Sequence, residues 1–154
     1  MSKKVLFPTD GSDAAMCAAQ QAAVQLSEMP DVEVTVFVAV AYYDESETDG
    51  GEDLVRQRNF HMRRRADSVV AQTATVFEKQ GIKTSVKVVE GDPVSLIIAE
   101  EAAKGGYNLI VMGSRGVSLS KEKLSYVGSV TQHVLRRVTI PVLVIPVHEV
   151  YDED

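Results

Sequence analysis

The chain has 154 residues, 45% of them hydrophobic and 25% charged, the size and composition of one globular domain spanning residues 1–154. Cys17 is the only cysteine, which excludes an internal disulfide and an all-cysteine metal site. The formal net charge of −6 argues against binding along a nucleic-acid backbone, and without a membrane-length apolar run or signal-peptide pattern the expectation is a cytoplasmic protein with no membrane insertion.

Val5-Leu6-Phe7 is a short apolar run that ends at Pro8-Thr9-Asp10-Gly11. A strand apolar on both faces suits the interior of a parallel sheet. From Ser12 the pattern turns helical, with Ala15, Ala19, Ala22 and Leu26 on one face, Ser12 as N-cap and Asp13 in the first turn. Pro30 closes that helix, and residues 32–40, rich in β-branched side chains, form a second strand. Residues 42–51 are polar, acidic and glycine-bearing, a loop signal.

A long helix is predicted over residues 52–79. Val55, Met62, Ala66, Val69, Val70, Val76 and Phe77 fall in one stripe at 100° per residue. Its stretch "RQRNFHMRRRAD" carries five arginines within ten residues. Arg64 lies opposite the apolar stripe and the other arginines flank it, so the stretch reads either as a solvated face or as a docking patch for an acidic partner. Gly81 suits the position after the helix, and residues 84–89 form a third strand. Gly91-Asp92-Pro93 starts a helix, with Asp92 as N-cap and Pro93 at the first helical position. Val94, Ile97, Ile98 and Ala102 give that helix its buried side, and Gly105-Gly106 ends it. Residues 108–112 form a fourth strand, apolar enough to be central. Residues 129–138 form a helix with Val130, Val134 and Val138 along one side, and residues 140–147 a fifth strand.

This alternation predicts an α/β fold, a single open five-stranded parallel sheet with helices on both faces, flavodoxin-like or Rossmann-like. In such sheets ligands bind beyond the carboxyl ends of the strands, where the strand order reverses. The first strand ends in Pro8-Thr9-Asp10-Gly11-Ser12 and the fourth in Gly113-Ser114-Arg115-Gly116. If these strands are neighbours, both loops share one crevice. Gly113 and Gly116 let backbone N–H groups approach a ligand. Gly128-Ser129 opens a helix whose free N–H groups favour an anion. Arg115 can clamp a phosphate. Asp10 can accept a hydrogen bond from ribose or help hold a cation bound to phosphates. The plainer reading stands beside this one: the glycines serve turn geometry and Ser129 is a cap. No G-x-x-x-x-G-K-[ST] is present, which excludes a Walker P-loop.

His61 and His133 fall on polar helix faces, and His148 follows the last strand; none has ligand spacing for a dedicated metal site. Cys17 falls on the polar side of the first helix, with no neighbouring base in sequence to activate it. The last strand is strongly apolar yet carries Pro141 and Pro146. Proline places it at a sheet edge, and a second copy pairing there would cover it.

The segments "VLFPTDGSDAA", "EGDP", "NLIVMGSRG", "GSVTQHVL" and "IPVLVIP" together resemble the universal stress protein family over nearly the whole chain. The resemblance implies a five-stranded parallel α/β sandwich of the adenine nucleotide alpha hydrolase type, and a homodimer through the last strand, residues 140–147. It implies binding of ATP, AMP or another adenine nucleotide, with Mg²⁺ as an optional companion, through a signature of G-x-x-G, nine residues, then G-[ST]. Gly113 and Gly116 match the first pair; Gly128 and Ser129 match the phosphate-contacting pair, with Val130 following them in the expected binding set. Pro8, Thr9 and Asp10 match the turn near ribose and phosphates. Ala39 or Val40 falls where the family's main chain meets the adenine edge, and Met112 lies beside the ribose.

Here the gap from Gly116 to Gly128 holds eleven residues rather than nine, with Lys121 and Lys123 among them. Lengthening a loop costs little entropy, so both ends can stay in place; alternatively the spacer folds over the site or marks a member without nucleotide. The expected function is an ATP-binding stress or regulatory protein with an unidentified regulatory partner. No general base is placed to activate water, so turnover is expected to be slow or absent and no residue is assigned as catalytic. The alternatives are a dimeric interaction module that binds no nucleotide, and an ATP-pyrophosphatase, for which "TDGSDAA" lacks the second glycine of an "SGGxDS" loop.

Overall fold

The computed structural model describes residues 2–41, 51–114 and 128–147. Along the chain these form β1 (Lys3–Pro8), α1 (Asp13–Leu26), β2 (Val32–Val40), α2 (Glu52–Glu78), β3 (Lys83–Glu90), α3 (Val94–Lys104), β4 (Leu109–Gly113), α4 (Ser129–Arg137) and β5 (Val142–Ile145). The strands pair in parallel in the order β3-β2-β1-β4-β5. The α/β fold and five-stranded sheet expected from the alternation are what the chain forms.

Strand side chains alternate between two cores because the strand period is two. Val5, Phe7, Val34, Val36 and Val38 pack with α1 and α2. Leu6, Phe37, Ile110 and Met112 pack with α3 and α4. Burial on both faces explains why these strands read as continuous apolar runs rather than alternating ones. Each fully buried Phe or Leu contributes about 1.5–3 kcal/mol of apolar transfer. Phe7 and Phe77 meet edge to face, with ring centroids 5.2 Å apart. Alanines line the buried face of α1, and their small side chains let its axis approach the sheet closely.

Ser12 caps α1 as expected: its Oγ accepts a hydrogen bond from the Ala15 N–H at 3.1 Å. Four expectations shift. The cap of α3 is Pro93 rather than Asp92, with Val94 the first helical residue and no side-chain cap bond. The last strand spans Val142–Ile145, shorter than 140–147, because Pro141 and Pro146 flank it and neither has an N–H to give to a ladder. In α2 the buried side includes Thr73 and Ala74, whereas Val55, Met62, Val69 and Val76 are only partly buried. In α4 Val130 is 39% exposed, and the buried pair is Thr131 and Val134. Val130 sits in the first turn, at the rim where little sheet remains beneath it, while Thr131 is drawn inward by a hydrogen bond to Gly113 O. Among the described residues no helix is long and apolar enough to cross a membrane.

Candidate functional site

The strand order reverses between β1 and β4. From β1 the chain moves through β2 to β3 on one side, then crosses the sheet to place β4 against β1's other side. The pairs Val5↔Leu109 and Leu6↔Ile110, carried up the strands, set Thr9 level with Gly113. Adjacent strands lie about 4.8 Å apart. The two loops singled out in the sequence therefore leave the sheet side by side, at the position where open α/β sheets bind ligands.

The loop after β1 is built by short-range hydrogen bonds. Pro8 is buried at the strand end. The Thr9 N–H donates to Phe37 O at 2.9 Å, extending the ladder by one bond. The Gly11 N–H donates to Thr9 Oγ1 at 3.2 Å, and the Ser12 N–H donates to Asp10 Oδ1 at 2.9 Å. The last of these is an Asx turn that delivers the chain into the α1 cap. Asp10 is exposed, and its second carboxylate oxygen has no hydrogen-bond partner among the described residues. Gly11 has φ +77°, and a Cβ there would come within 2.5 Å of Val69 Cγ2. Glycine at this position satisfies both the left-handed backbone and the approach of α2.

The loop after β4 is anchored by Ser114. Its N–H donates to Ile145 O at 2.9 Å, and its Oγ accepts from the Val147 N–H at 3.1 Å. Its carbonyl accepts from the Gly128 N–H at 2.6 Å. The chain leaves at Ser114 and returns at Gly128 with these two ends hydrogen-bonded to each other, so the extra spacer residues do not part the ends of the signature. Arg115, Gly116, Lys121 and Lys123 lie outside the described residues. Thr131 Oγ1 donates to Gly113 O at 3.0 Å and ties the first turn of α4 to the end of β4.

The α4 N-terminus opens onto this edge. Gly128 is its cap, without a side-chain cap bond, and Gly128 O accepts from the Gln132 N–H at 3.0 Å. The N–H groups of Ser129, Val130 and Thr131 have no acceptor among the described residues. Ser129 is exposed, and the first turn has no acidic residue to occupy the positive end of the helix. Such a terminus takes an anion.

The end of β2 supplies main-chain groups of another kind. In a parallel strand both polar groups of a residue point to the same neighbour, alternating along the chain. Phe37 O serves β1, and Val40 O accepts from the Gly91 N–H at 2.9 Å on the β3 side. Ala39 therefore directs its N–H and C=O toward β1, whose pairing with β2 has stopped at Pro8↔Phe37. Of the two alternatives read from the sequence, Ala39 offers main-chain groups that have no partner among the described residues, and Val40 has its carbonyl engaged. Met112 is 5% exposed and packs its side chain into the core beside α3 and α4. The Ile110 and Ser114 N–H groups donate to the β5 side. Met112, two residues from each, therefore also turns its main-chain groups to β5 and not into the crevice, so the structure does not bring it to the ribose position that the resemblance implied. Ser114 and Thr131 were not singled out as functional in the sequence. The 3.6-residue period from Val134 places Thr131 near the inward face, and that polar residue on a buried face was the available signal.

His61, His133 and Cys17 are exposed. Among the described residues no group of three His, Cys, Asp or Glu side chains is arranged to hold a metal ion; His148 lies outside them.

The model of the universal stress protein family matches residues 1–146. Universal stress protein MJ0531 of Methanocaldococcus jannaschii is 30% identical over 145 residues, covering 93% of this chain and 81% of its own. Among solved structures, hypothetical protein MJ0577, the subject of a structure-based assignment of biochemical function, superposes with a TM-score of 0.82. It is 27% identical and covers 98% of this chain and 99% of its own. A universal stress protein in complex with cAMP has a TM-score of 0.66 at 21% identity, covering 96% of this chain and 98% of its own. One from Archaeoglobus fulgidus in complex with dAMP has a TM-score of 0.60 at 18% identity, covering 94% of this chain and 98% of its own.

Proposed function

The chain belongs to the universal stress protein family, and from that premise we propose that it is an adenine-nucleotide-binding regulatory protein that works as a homodimer. The observation that supports nucleotide binding most directly is the first turn of α4. Three backbone N–H groups without acceptors among the described residues open onto the strand-order switch point, tied there by the Thr131–Gly113 bond. Phosphates belong at these groups. The free main-chain groups of Ala39 suit the hydrogen-bonding edge of a base, and Asp10 suits a ribose hydroxyl or a phosphate-bound Mg²⁺. That proteins of this fold have been crystallised with cAMP and dAMP supports an adenine ligand. ATP is the ligand proposed, with binding rather than turnover as the activity.

Dimer formation is supported by β5. It is the sheet's edge, and Leu143 is 42% exposed. Beside it a groove of about 530 Å³ is lined by Gln20, Gln21, Val24, Leu143, Ile145 and Pro146, with Val24 52% exposed. An apolar edge of this kind is covered by a second copy pairing its own β5. Exchanging Leu143 for arginine should shift the sedimentation coefficient to that of a monomer.

Substituting Gly128 by aspartate tests the nucleotide site without confusing binding with folding. Gly128 has φ −59° and ψ 155°, which any residue adopts, and aspartate is a favourable N-cap. Gly128→Asp should therefore keep or raise the melting temperature while its carboxylate repels phosphate. Calorimetric titration with ATP, with and without Mg²⁺, should show binding to the wild type and none to the variant. Equal binding by both places the ligand elsewhere. No binding by either leaves a dimeric interaction module as the function. Release of AMP and pyrophosphate identifies an ATP-pyrophosphatase.

A further inference from the structure

The two halves of α2 live in different surroundings. Its C-terminal half buries Ala66, Val70, Thr73, Ala74 and Phe77. Val69 lies against Gly11, in the loop beyond the end of β1, so the helix N-terminal to it runs past the carboxyl edge of the sheet. Residues 52–65, about 20 Å of helix at 1.5 Å per residue, bury no side chain completely. Helical stability in proteins comes mostly from packing one face, and these turns pack little.

Their outer surface has a consistent chemistry. At 100° per residue Leu54, His61, Arg64 and Arg65 share the side turned away from the core, with Phe60 at its border. Leu54 is 73% and Phe60 59% exposed. The Arg64 guanidinium lies 5.8 Å from the centre of the Phe60 ring, and the His61 ring meets the same ring edge to face at 5.9 Å. Arg63 is paired with Asp67 at 3.3 Å and reaches Glu90 at 3.9 Å, and Arg56 and Arg58 make other interactions. Arg64 and Arg65 have no carboxylate partner among the described residues. Residues 54–66 hold five of the chain's 16 basic residues and no acid, in a protein of net charge −6.

We propose that this outer face of α2, centred on Phe60, Arg64 and Arg65 with Leu54 nearly two turns before Phe60, docks an acidic peptide segment of another protein that also carries apolar side chains. Charge complementarity selects the acid: Arg64, over the Phe60 ring, and its neighbour Arg65 present two guanidinium groups with no carboxylate partner among the described residues. The exposed leucine and phenylalanine receive the segment's apolar residues, and aromatic and arginine side chains are those that dominate interface energetics. A nucleic acid fits less well. Its charge continues past the patch along a protein of net charge −6, whereas a short peptide ends where the arginines do. A second copy would set arginine face against arginine face.

The test uses the full-length protein and a fluorescein-labelled ten-residue peptide of glutamates interspersed with leucine and tyrosine, followed by fluorescence anisotropy. The wild type should bind it, more weakly as salt rises. The double substitution Arg64→Ala, Arg65→Ala should weaken binding at least tenfold, and Phe60→Ala should do so even at high salt. These side chains are exposed, so circular dichroism should stay unchanged; Lys104→Ala, on α3, should bind as the wild type. Failure of the wild type to bind, equal affinity for polyglutamate, or indifference to Phe60→Ala overturns the proposal. So does tighter binding of a 20-base-pair DNA duplex, or self-association that the arginine substitutions abolish, which would assign the face to nucleic acid or to a second copy.

Discussion

The two ends of the sheet are built from the same strands and treat their polar groups in opposite ways. At the amino end, polar groups are used up. Lys4 and Asn108 exchange bonds, N–H to Oδ1 at 2.8 Å and N–H to O at 2.8 Å. Lys4 Nζ donates to Gly105 O at 2.6 Å and lies 4.5 Å from the Tyr107 ring centre. The Tyr107 hydroxyl donates to Glu101, which also pairs with Lys87 at 2.9 Å. At the carboxyl end, among the described residues, Asp10 keeps one oxygen free, Ala39 directs main-chain groups at no strand, and the first turn of α4 keeps its donors free. Closed networks secure a fold, and open polar groups held on a rigid frame wait for a ligand.

If this division is right, the largest loss of stability belongs at the amino end. Tyr107→Ala removes a buried ring and takes from Glu101 the hydroxyl donor, leaving it Lys87, and should cost about 3–5 kcal/mol, the range of large aromatic deletions. Urea denaturation reads this directly, and nucleotide affinity of the folded fraction should not change. Gly11 is where the division breaks. It belongs to the carboxyl end, yet Gly11→Ala meets both the positive φ and Val69, and should cost about 1–3 kcal/mol. A smaller loss would mean that the turn relaxes and is less rigid than its hydrogen bonds suggest.

The same contrast explains what could be read before any coordinates. The order of elements and most core positions were legible, because strands buried on both faces leave continuous apolar runs and helices leave a 3.6 period. That the Asp10 and Gly113 loops share one crevice was legible only on the condition that the first and fourth strands are neighbours, and the strand order meets it. The end of β5 was not legible, because an apolar run between prolines does not show where its ladder stops. The inward position of Thr131 was signalled by its spacing from Val134, but its bonding partner was not, since only the folded chain brings the Gly113 carbonyl near it. The choice between Ala39 and Val40 needed the register of β2 against β1 and β3, which is tertiary information.

Thr131→Val is a near-isosteric way to sharpen the comparison. It leaves Gly113 O without its donor and should cost about 1–3 kcal/mol, while loosening the α4 first turn and weakening ATP binding. At the amino end the matching probe is pH. Burial, foremost, pushes the Tyr107 phenol up to about 12 from 10.0, with Glu101 adding to the rise and Thr35 opposing it. The folded state thus holds this proton more tightly than the unfolded chain. Its contribution is complete below pH 10 and is lost as pH rises toward 12. Stability should fall across that window in the wild type and more shallowly in Tyr107→Phe.

The smallest expected effect on stability is at Asp10, and it separates the two ends most cleanly. Asparagine keeps the Oδ1 acceptor, so the bond from the Ser12 N–H at 2.9 Å survives and the Asx turn persists. Asp10 is exposed, and the change in unfolding free energy should stay within about 0.5 kcal/mol. What disappears is a negative charge beside the proposed phosphate position. If that charge helps to hold Mg²⁺, Asp10→Asn should weaken ATP binding about tenfold with the metal, some 1.4 kcal/mol, and should leave metal-free ATP bound as well or better. A loss equal in both conditions assigns the carboxylate to the ribose hydroxyls instead. Unchanged affinity in both takes Asp10 out of the site and leaves the α4 amides to hold the ligand without it.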